Sequence, residues 1–183
     1  PYKKSNESYS YKPNGKWRGD KTDIWEGGHR VPFIAHWPKK IKASTINKQT
    51  ICLSDFIATF AGIIGVDLPK NAGEDSYNML PALTGENTAK TIREATVYHS
   101  GRGEFAIQSG NWKLILTHHS GGRTSRNKEN KWKPGMSKHQ LYNLLDDPQE
   151  INNLINKYPE TVQRLAALLQ KYKDQGYSTK QSH

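Results

Sequence analysis

The sequence predicts a mixed α/β chain whose last part is a small antiparallel sheet covered by a helix. Three observations carry that expectation. Apolar residues recur at helical spacing from Ser54 to Gly65, the period changes to two between Thr96 and Leu144, and a second helical stripe runs from Val162 to Tyr172. Glu86 to Arg93 reads as a linker, which divides the chain into 1–85 and 86–183.

In order, Pro1 to Trp17 is polar and rich in Tyr and Lys, with Pro13-Asn14-Gly15 as a turn signal, so it is expected to be irregular surface. Val31, Phe33, Ile34 and Ala35 suggest a brief, largely buried strand, with Pro32 placing its start near a sheet edge. Lys39 to Gln49 is a polar loop. From Ser54 a buried core helix is expected through Phe56, Ile57, Phe60 and Ile63 or Ile64, capped by Ser54, with Asp55 in its first turn and Gly65 at its exit. Pro69 to Ser76 is a loop, and Tyr77 to Leu83 makes a short helical turn ending at Thr84-Gly85. Thr96 to His99, Phe105 to Gln108, Trp112 to Leu116 and Gln140 to Leu144 read as four strands. Ser109-Gly110-Asn111 is the hairpin turn between the second and third. Pro159 starts a terminal amphipathic helix that ends near Gly176.

The stretch RGDKTDIWEGGHRVPFIAHWP, Arg18 to Pro38, builds a site in this reading. It places one Lys in a polar turn, then a Gly pair able to take backbone angles closed to other residues. Glu26 and Arg30 are expected to pair with each other and brace the turn, because charges beside a buried strand need partners. Lys21 has only Asp20 and Asp23 as local carboxylates, so composition alone makes it a solvated loop lysine.

The chain holds 27 Lys and Arg against 17 Asp and Glu, a net charge of +10, with a pI near 9.6 and a mean hydropathy of -0.87. The surplus suggests a polyanionic partner, and charge alone does not choose among nucleic acid, anionic membrane and sulfated polysaccharide. One Cys excludes an internal disulfide framework, and no apolar run approaches the ~20 residues of a membrane span. The segment from His118 to His139 carries Arg123, Arg126, Lys128, Lys131, Lys133 and Lys138 against the single acid Glu129. From its composition it reads as a solvated loop. His118-His119 is a poor metal pair, since adjacent side chains diverge and no Cys or carboxylate cluster joins them. His99 lies before the turn Ser100-Gly101-Arg102-Gly103 and reads as a hydrogen-bonding edge His.

The pattern Gly-x-Lys-x-x-x-x-Glu-Gly-Gly-x-Arg-x-Pro, occupied by Gly19, Lys21, Glu26, Gly27, Gly28, Arg30 and Pro32, resembles the C-terminal signature of the formylglycine-dependent sulfatases. Trp37-Pro38, Leu53 to Gly62, Gly110 to Ile115, Leu141 to Leu144, Asp146 to Glu150 and Asn153-Leu154 follow in that family's order, so the resemblance covers roughly Gly19 to Leu168. The GGHRVP form looks like bacterial arylsulfatases and N-acetylhexosamine-6-sulfatases acting on sulfated carbohydrates.

The resemblance implies the C-terminal part of an alkaline-phosphatase-like α/β fold: 1–85 as the end of the large domain and 86–183 as the C-terminal subdomain. It implies that Lys21 binds sulfate near the leaving oxygen. Glu26, Gly27, Gly28, His29 and Arg30 shape the turn that presents it, His99 and Arg102 are candidate contacts to sugar or sulfate, and the resemblance makes the basic segment from His118 to His139 a rim over the substrate cleft. The family's Cys/Ser-x-Pro-x-Arg motif is not matched, and Cys52 is followed by Leu53-Ser54, so it is not a formylglycine precursor. Calcium and formylglycine are therefore expected in the full-length enzyme and not in this chain alone, whose expected partners are the N-terminal part and a sulfated carbohydrate. Neither nucleic acid nor a membrane span is expected, and family resemblance points to a bacterial periplasmic or secreted location. The alternatives are a noncatalytic polyanion-binding module and a fragment of a related phosphoester or phosphonate hydrolase.

Overall fold

The computed structural model describes residues 13–86, 91–124 and 132–179. It divides into two compact units, Pro1–Val31 with Val97–Ala167, and Pro32–Thr96 with Leu168–His183.

Four strands, β1 (Thr96–His99), β2 (Phe105–Ser109), β3 (Trp112–Ile115) and β4 (Gln140–Asn143), form one sheet in the order β1-β2-β3-β4. Gly110-Asn111 is a two-residue loop in which Gly110 takes φ 57°, and it sets Ser109 opposite Trp112. β3 runs antiparallel to β4 as well, with Lys113 opposite Tyr142 and Ile115 opposite Gln140. The period of two then separates the sheet into two faces. Ile107, Leu114 and Leu141 lie on one, all fully buried. Ala106, Ile115 and Tyr142 lie on the other, where Ile24 and Trp25 close over them. Burying a large apolar side chain contributes about 1.5–3 kcal/mol, so the segment carrying Ile24 and Trp25 is firmly anchored.

In the second unit, the 3-10 turn Leu53–Asp55 leads into α1 (Phe56–Ile64). Asp55 Oδ2 accepts the Cys52 N–H at 2.7 Å, its Oδ1 accepts the Tyr77 N–H at 3.1 Å, and Oδ1 also takes the Arg93 guanidinium. Thr59 Oγ1 accepts the Met79 N–H at 3.0 Å, so two side chains near the start of this helix pin the irregular segment before α2 (Leu80–Thr84). α1 ends at Gly65 with φ 73°, and α2 at Gly85 with φ 81°. The terminal helix α3 (Pro159–Gln175) buries Leu165, Leu169 and Tyr172.

The four strands and three helices match the expected elements to within two or three residues at their ends, but three expectations fail. Residues 31–35 form no strand: Val31 is 63% and Ile34 91% exposed. Pro32 removes a ladder donor, and the run pairs with no strand among the described residues. The helix after Ser54 exists but is not buried, since Phe60 is 59% and Ile64 71% exposed and only Thr59 and Ala61 are covered. Ser54 does not cap it: Asp55 stands at the N-cap position, and its side chain reaches back to the Cys52 N–H to close the preceding 3-10 turn. Finally, Gly27 and Gly28 do not use positive φ. They are glycines because a Cβ would lie 2.5 Å from the Gly19 carbonyl oxygen at Gly27 and 2.0 Å from the Asp23 carbonyl oxygen at Gly28.

Candidate active site around Lys21

Residues 18 to 28 form a loop closed on itself. Gly27 donates its N–H to the Arg18 carbonyl at 2.7 Å, which the absence of a Cβ permits. Inside the loop, the fully buried Asp23 makes the turn: its Oδ2 accepts the Asp20 N–H at 2.8 Å. The same carboxylate accepts the Thr124 N–H at 3.2 Å and the Thr124 hydroxyl at 3.0 Å. Thr22 is held at φ 81°, an outlier for a β-branched residue. The surroundings hold it there. Its carbonyl accepts the Gly101 N–H at 2.9 Å and its hydroxyl the Arg123 N–H at 3.2 Å. Gly122 lies so close that a Cβ would stand 2.4 Å from the Thr22 carbonyl oxygen. Lys21, at the tip, is exposed and has no ion pair among the described residues.

Beneath this loop is a buried charge network. Lys113 Nζ, fully buried, lies 2.9 Å from Glu26 Oε1 and 3.0 Å from Glu150 Oε1. Glu26 Oε2 pairs with the Arg30 guanidinium at 2.8 Å, as expected from the sequence. Burial works to raise the Glu26 carboxyl, but the Lys113 and Arg30 charges overcome it and hold the pKa below the ordinary value. For Glu150 burial wins over Lys113 and the pKa is raised. For His29 burial, with the Lys113 charge, pushes the pKa down to about 4. The imidazole is neutral at pH 7, with Nε2 buried and unpartnered among the described residues. Tyr142 is pushed up to about 12 by burial and donates to Gln140 Oε1 at 2.7 Å; that oxygen also takes the Trp25 indole N–H at 3.1 Å.

His99 and Arg102 are both exposed. The His99 ring packs edge-on against Phe105, with centroids 4.9 Å apart. Their turn is tied to the Lys21 loop through the Gly101 bond to Thr22, and is closed by Ser100 Oγ, which accepts the Arg102 and Glu104 N–H groups at 3.3 and 3.0 Å. His119 Nδ1 accepts the Gly121 N–H at 2.9 Å, and its pKa is lowered by burial and by His118. This histidine therefore organises the turn that carries Gly122. The sequence placed His118 to His139 in a solvated or substrate-facing loop, whereas its first turn is buried, Ser120 and Gly122 against the Lys21 segment and Gly121 against Ser100 and Glu104. Arg126, Lys128 and Lys131 of the proposed basic rim lie outside the described residues.

Thus the structure joins Lys21, Glu26, Gly27, Gly28, His29 and Arg30 in one braced loop with the Arg102 turn beside it. Sequence reasoning missed Asp23, Lys113 and Glu150. A lysine inside the apolar run Trp112-Lys113-Leu114-Ile115 was the available signal, because lysine is almost never fully buried without a partner.

The residues present do not fit a calcium site or a formylglycine. Among the described residues no three His, Cys, Asp or Glu come together to hold a metal. Asp23 and Asp55 are occupied by hydrogen bonds. Cys52 lies 3.2 Å from Arg93 Nη1, its thiol pKa raised by burial. Among the described residues no helix is long and apolar enough to cross a membrane.

The family model for the C-terminal region of N-sulphoglucosamine sulphohydrolase matches residues 15–175. An N-acetylgalactosamine-6-O-sulfatase of Bacteroides thetaiotaomicron is 36% identical over 164 residues, which is 88% of this chain and 30% of the relative. A solved structure from work on the metabolism of multiple glycosaminoglycans by Bacteroides thetaiotaomicron superposes with a TM-score of 0.77 at 32% identity, covering 94% of this chain and 34% of the other. A Pseudoalteromonas sulfatase shares the fold with a TM-score of 0.72 at 23% identity, over 94% of this chain and 34% of its own. The chain therefore spans about a third of the relatives it matches. With the closed loop of residues 18 to 28, the four-stranded sheet and the terminal helix all inside the matched region, the chain belongs to the sulfatase C-terminal family, of alkaline-phosphatase-like fold.

Proposed function

We propose that this chain is the C-terminal portion of a sulfatase that hydrolyses sulfate esters of carbohydrates, with Lys21 as its one directly acting residue. One observation carries the assignment: a loop fastened by a buried aspartate, a closing backbone bond and a strained Thr22 presents an exposed lysine with no ion pair among the described residues. Such fastening prearranges a charge before the substrate arrives. The ammonium donates to a sulfate oxygen near the ester oxygen and stabilises the negative charge that the departing alkoxide gains. A compact ammonium with three donors suits that place better than a planar guanidinium. Formylglycine and calcium would supply the nucleophile and a second charge on the sulfate, from outside the residues described.

The partner part of the protein is the N-terminal region of the same sulfatase. Phe60 and Ile64 of α1, with Phe33 and Ile34, are apolar and exposed in this chain and give such a region a surface to cover. His99 and Arg102 contact the sugar or a further sulfate, since their turn is bonded to the Lys21 loop. A 6-sulfated N-acetylhexosamine is the favoured substrate, because the relative at 36% identity is named for one. The location proposed with this reading is bacterial, periplasmic or secreted.

The test is turnover of an aryl sulfate by the full-length protein after formylglycine occupancy is confirmed. Lys21→Ala is expected to lose about two orders of magnitude or more in kcat. Lys21→Arg should recover only part of that loss. Near-normal turnover in Lys21→Ala would remove the assignment.

A further inference from the structure

The two ends of the Lys21 loop converge on one residue, Glu150. Arg18, before Lys21, donates from Nη1 to the Glu150 carbonyl oxygen at 2.5 Å and to the Tyr142 hydroxyl at 3.2 Å. Glu26, after Lys21, donates its backbone N–H to Glu150 Oε2 at 2.7 Å. One residue thus holds the first foot with its main chain and the second with its side chain. The bond from Gly27 to Arg18 closes the feet on each other directly above it.

Glu150 is itself immobilised. It is fully buried, takes φ 55°, and its Oε1 lies against Lys113 Nζ at 3.0 Å. Asp147 makes the turn that delivers it: its carbonyl accepts the Glu150 N–H at 3.1 Å, and its Oδ2 accepts the N–H groups of Ile151 and Asn152 at 2.8 and 2.7 Å. A carboxylate needed only to neutralise Lys113 would have no reason to sit in the left-handed region and to grip both feet of one loop. Residues other than glycine persist in that region only where the surroundings force them, and such places cluster at functional sites.

We propose that Glu150 is a positioning residue for Lys21, fixing where the ammonium stands relative to the sulfuryl group and the leaving oxygen. The inference rests on the reading of Lys21 as the sulfate-binding cation. Glu150 never touches the substrate. It acts by denying the loop the small displacements to which a prearranged charge is sensitive.

The experiment is a double-mutant cycle in the full-length protein at equal formylglycine occupancy: the parent, Glu150→Ala, Lys21→Ala and the pair together. Glu150→Ala alone is expected to lower kcat about 10- to 100-fold, the scale of a misplacement near 1 Å. In the Lys21→Ala background the same change should cost less than about threefold, because groups acting as a unit are strongly non-additive. Losses that multiply would show that Glu150 supports the protein generally, and would overturn the inference while leaving Lys21 assigned. So would full kcat in Glu150→Ala. Normal turnover in Lys21→Ala would fail at the earlier step and take the inference with it. Should Glu150→Ala not fold, Arg18→Met gives the same cycle from the other foot, since it removes the donor to Glu150 and keeps an apolar stem where the guanidinium stacks 3.6 Å over the Trp25 ring. There, too, a loss confined to the parent background supports the inference, and multiplying losses or parental turnover overturn it.

Discussion

Replacing Lys113 by Met tests the charge network most directly, because it removes the ammonium while keeping an unbranched chain in β3. In the parent, two carboxylate oxygens stand 2.9 and 3.0 Å from a nitrogen that no solvent reaches. At an effective dielectric near 20 each contact of that length is worth about 5 kcal/mol of attraction, set against a desolvation cost of several kcal/mol per ion. Losing the cation alone leaves Glu26 with Arg30, and Glu150 with only the Glu26 N–H. Breaking a buried pair from one side costs about 3–5 kcal/mol, which lowers the thermal midpoint of the region by roughly 6 °C or more. The assay is differential scanning calorimetry of the full-length protein, repeated across pH. Burial already raises the Glu150 pKa and Lys113 opposes that rise, so without Lys113 it climbs further. A carboxyl with a raised folded-state pKa favours the native state below its unfolded value and loses that contribution as pH rises through the folded value. The Lys113→Met deficit should therefore shrink in acid and grow toward neutral pH. Adding Glu150→Gln should recover part of the loss by deleting the orphaned charge. A variant within about 1 kcal/mol of the parent at pH 7, or a double variant worse than the single, would refute this account.

Two further outcomes are expected. His29 is held neutral with a folded pKa of about 4 against 6.5 unfolded, so the stability it contributes is complete above 6.5 and is lost as pH falls toward 4, with a limiting slope of about one proton. Stability measured through that window should flatten in His29→Gln, and an unchanged slope would place the proton uptake elsewhere. His99→Ala and Arg102→Ala should raise KM for a 6-sulfated N-acetylhexosamine saccharide by about tenfold, more than they lower kcat, the mark of lost uniform binding. Parental KM in both would move the sugar contacts off this turn.

The strands and the terminal helix were legible because their signals are local. Alternation from Phe105 to Ile115 is interrupted only by Gly110-Asn111, and a two-residue loop leaves one register. Residues 31–35 and α1 were misjudged for a different reason. Periodicity reports that Phe56, Phe60 and Ile64 share an apolar face, but not what covers it, and in this chain Phe60 and Ile64 stay exposed. The site was legible only as a motif. What fastens it arrives from far along the chain, Thr124 from 101 positions after Asp23 and Glu150 from 124 positions after Glu26. Hydrogen bonds of that span, made from irregular turns, leave no periodic trace.

Three stretches that look independent in the sequence, the Glu26-Gly27-Gly28 turn, the lysine in β3 and the Asp147-Pro148-Gln149-Glu150 turn, are physically one object. Each brings a charge or a strained backbone that is unfavourable alone: a buried lysine, a buried acid at φ 55°, and a glycine pair crowded against carbonyl oxygens. Brought together, each supplies what another lacks. Lys113 is neutralised by the two acids, Glu150 Oε2 accepts the Glu26 N–H, and the glycines let the loop close onto Arg18, which Glu150 also holds. Losing Glu150 leaves Lys113 with one acid and the buried Glu26 N–H without its acceptor, and losing Lys113 leaves Glu150 without a cation, so the three act together in holding the loop that carries the lysine at its tip.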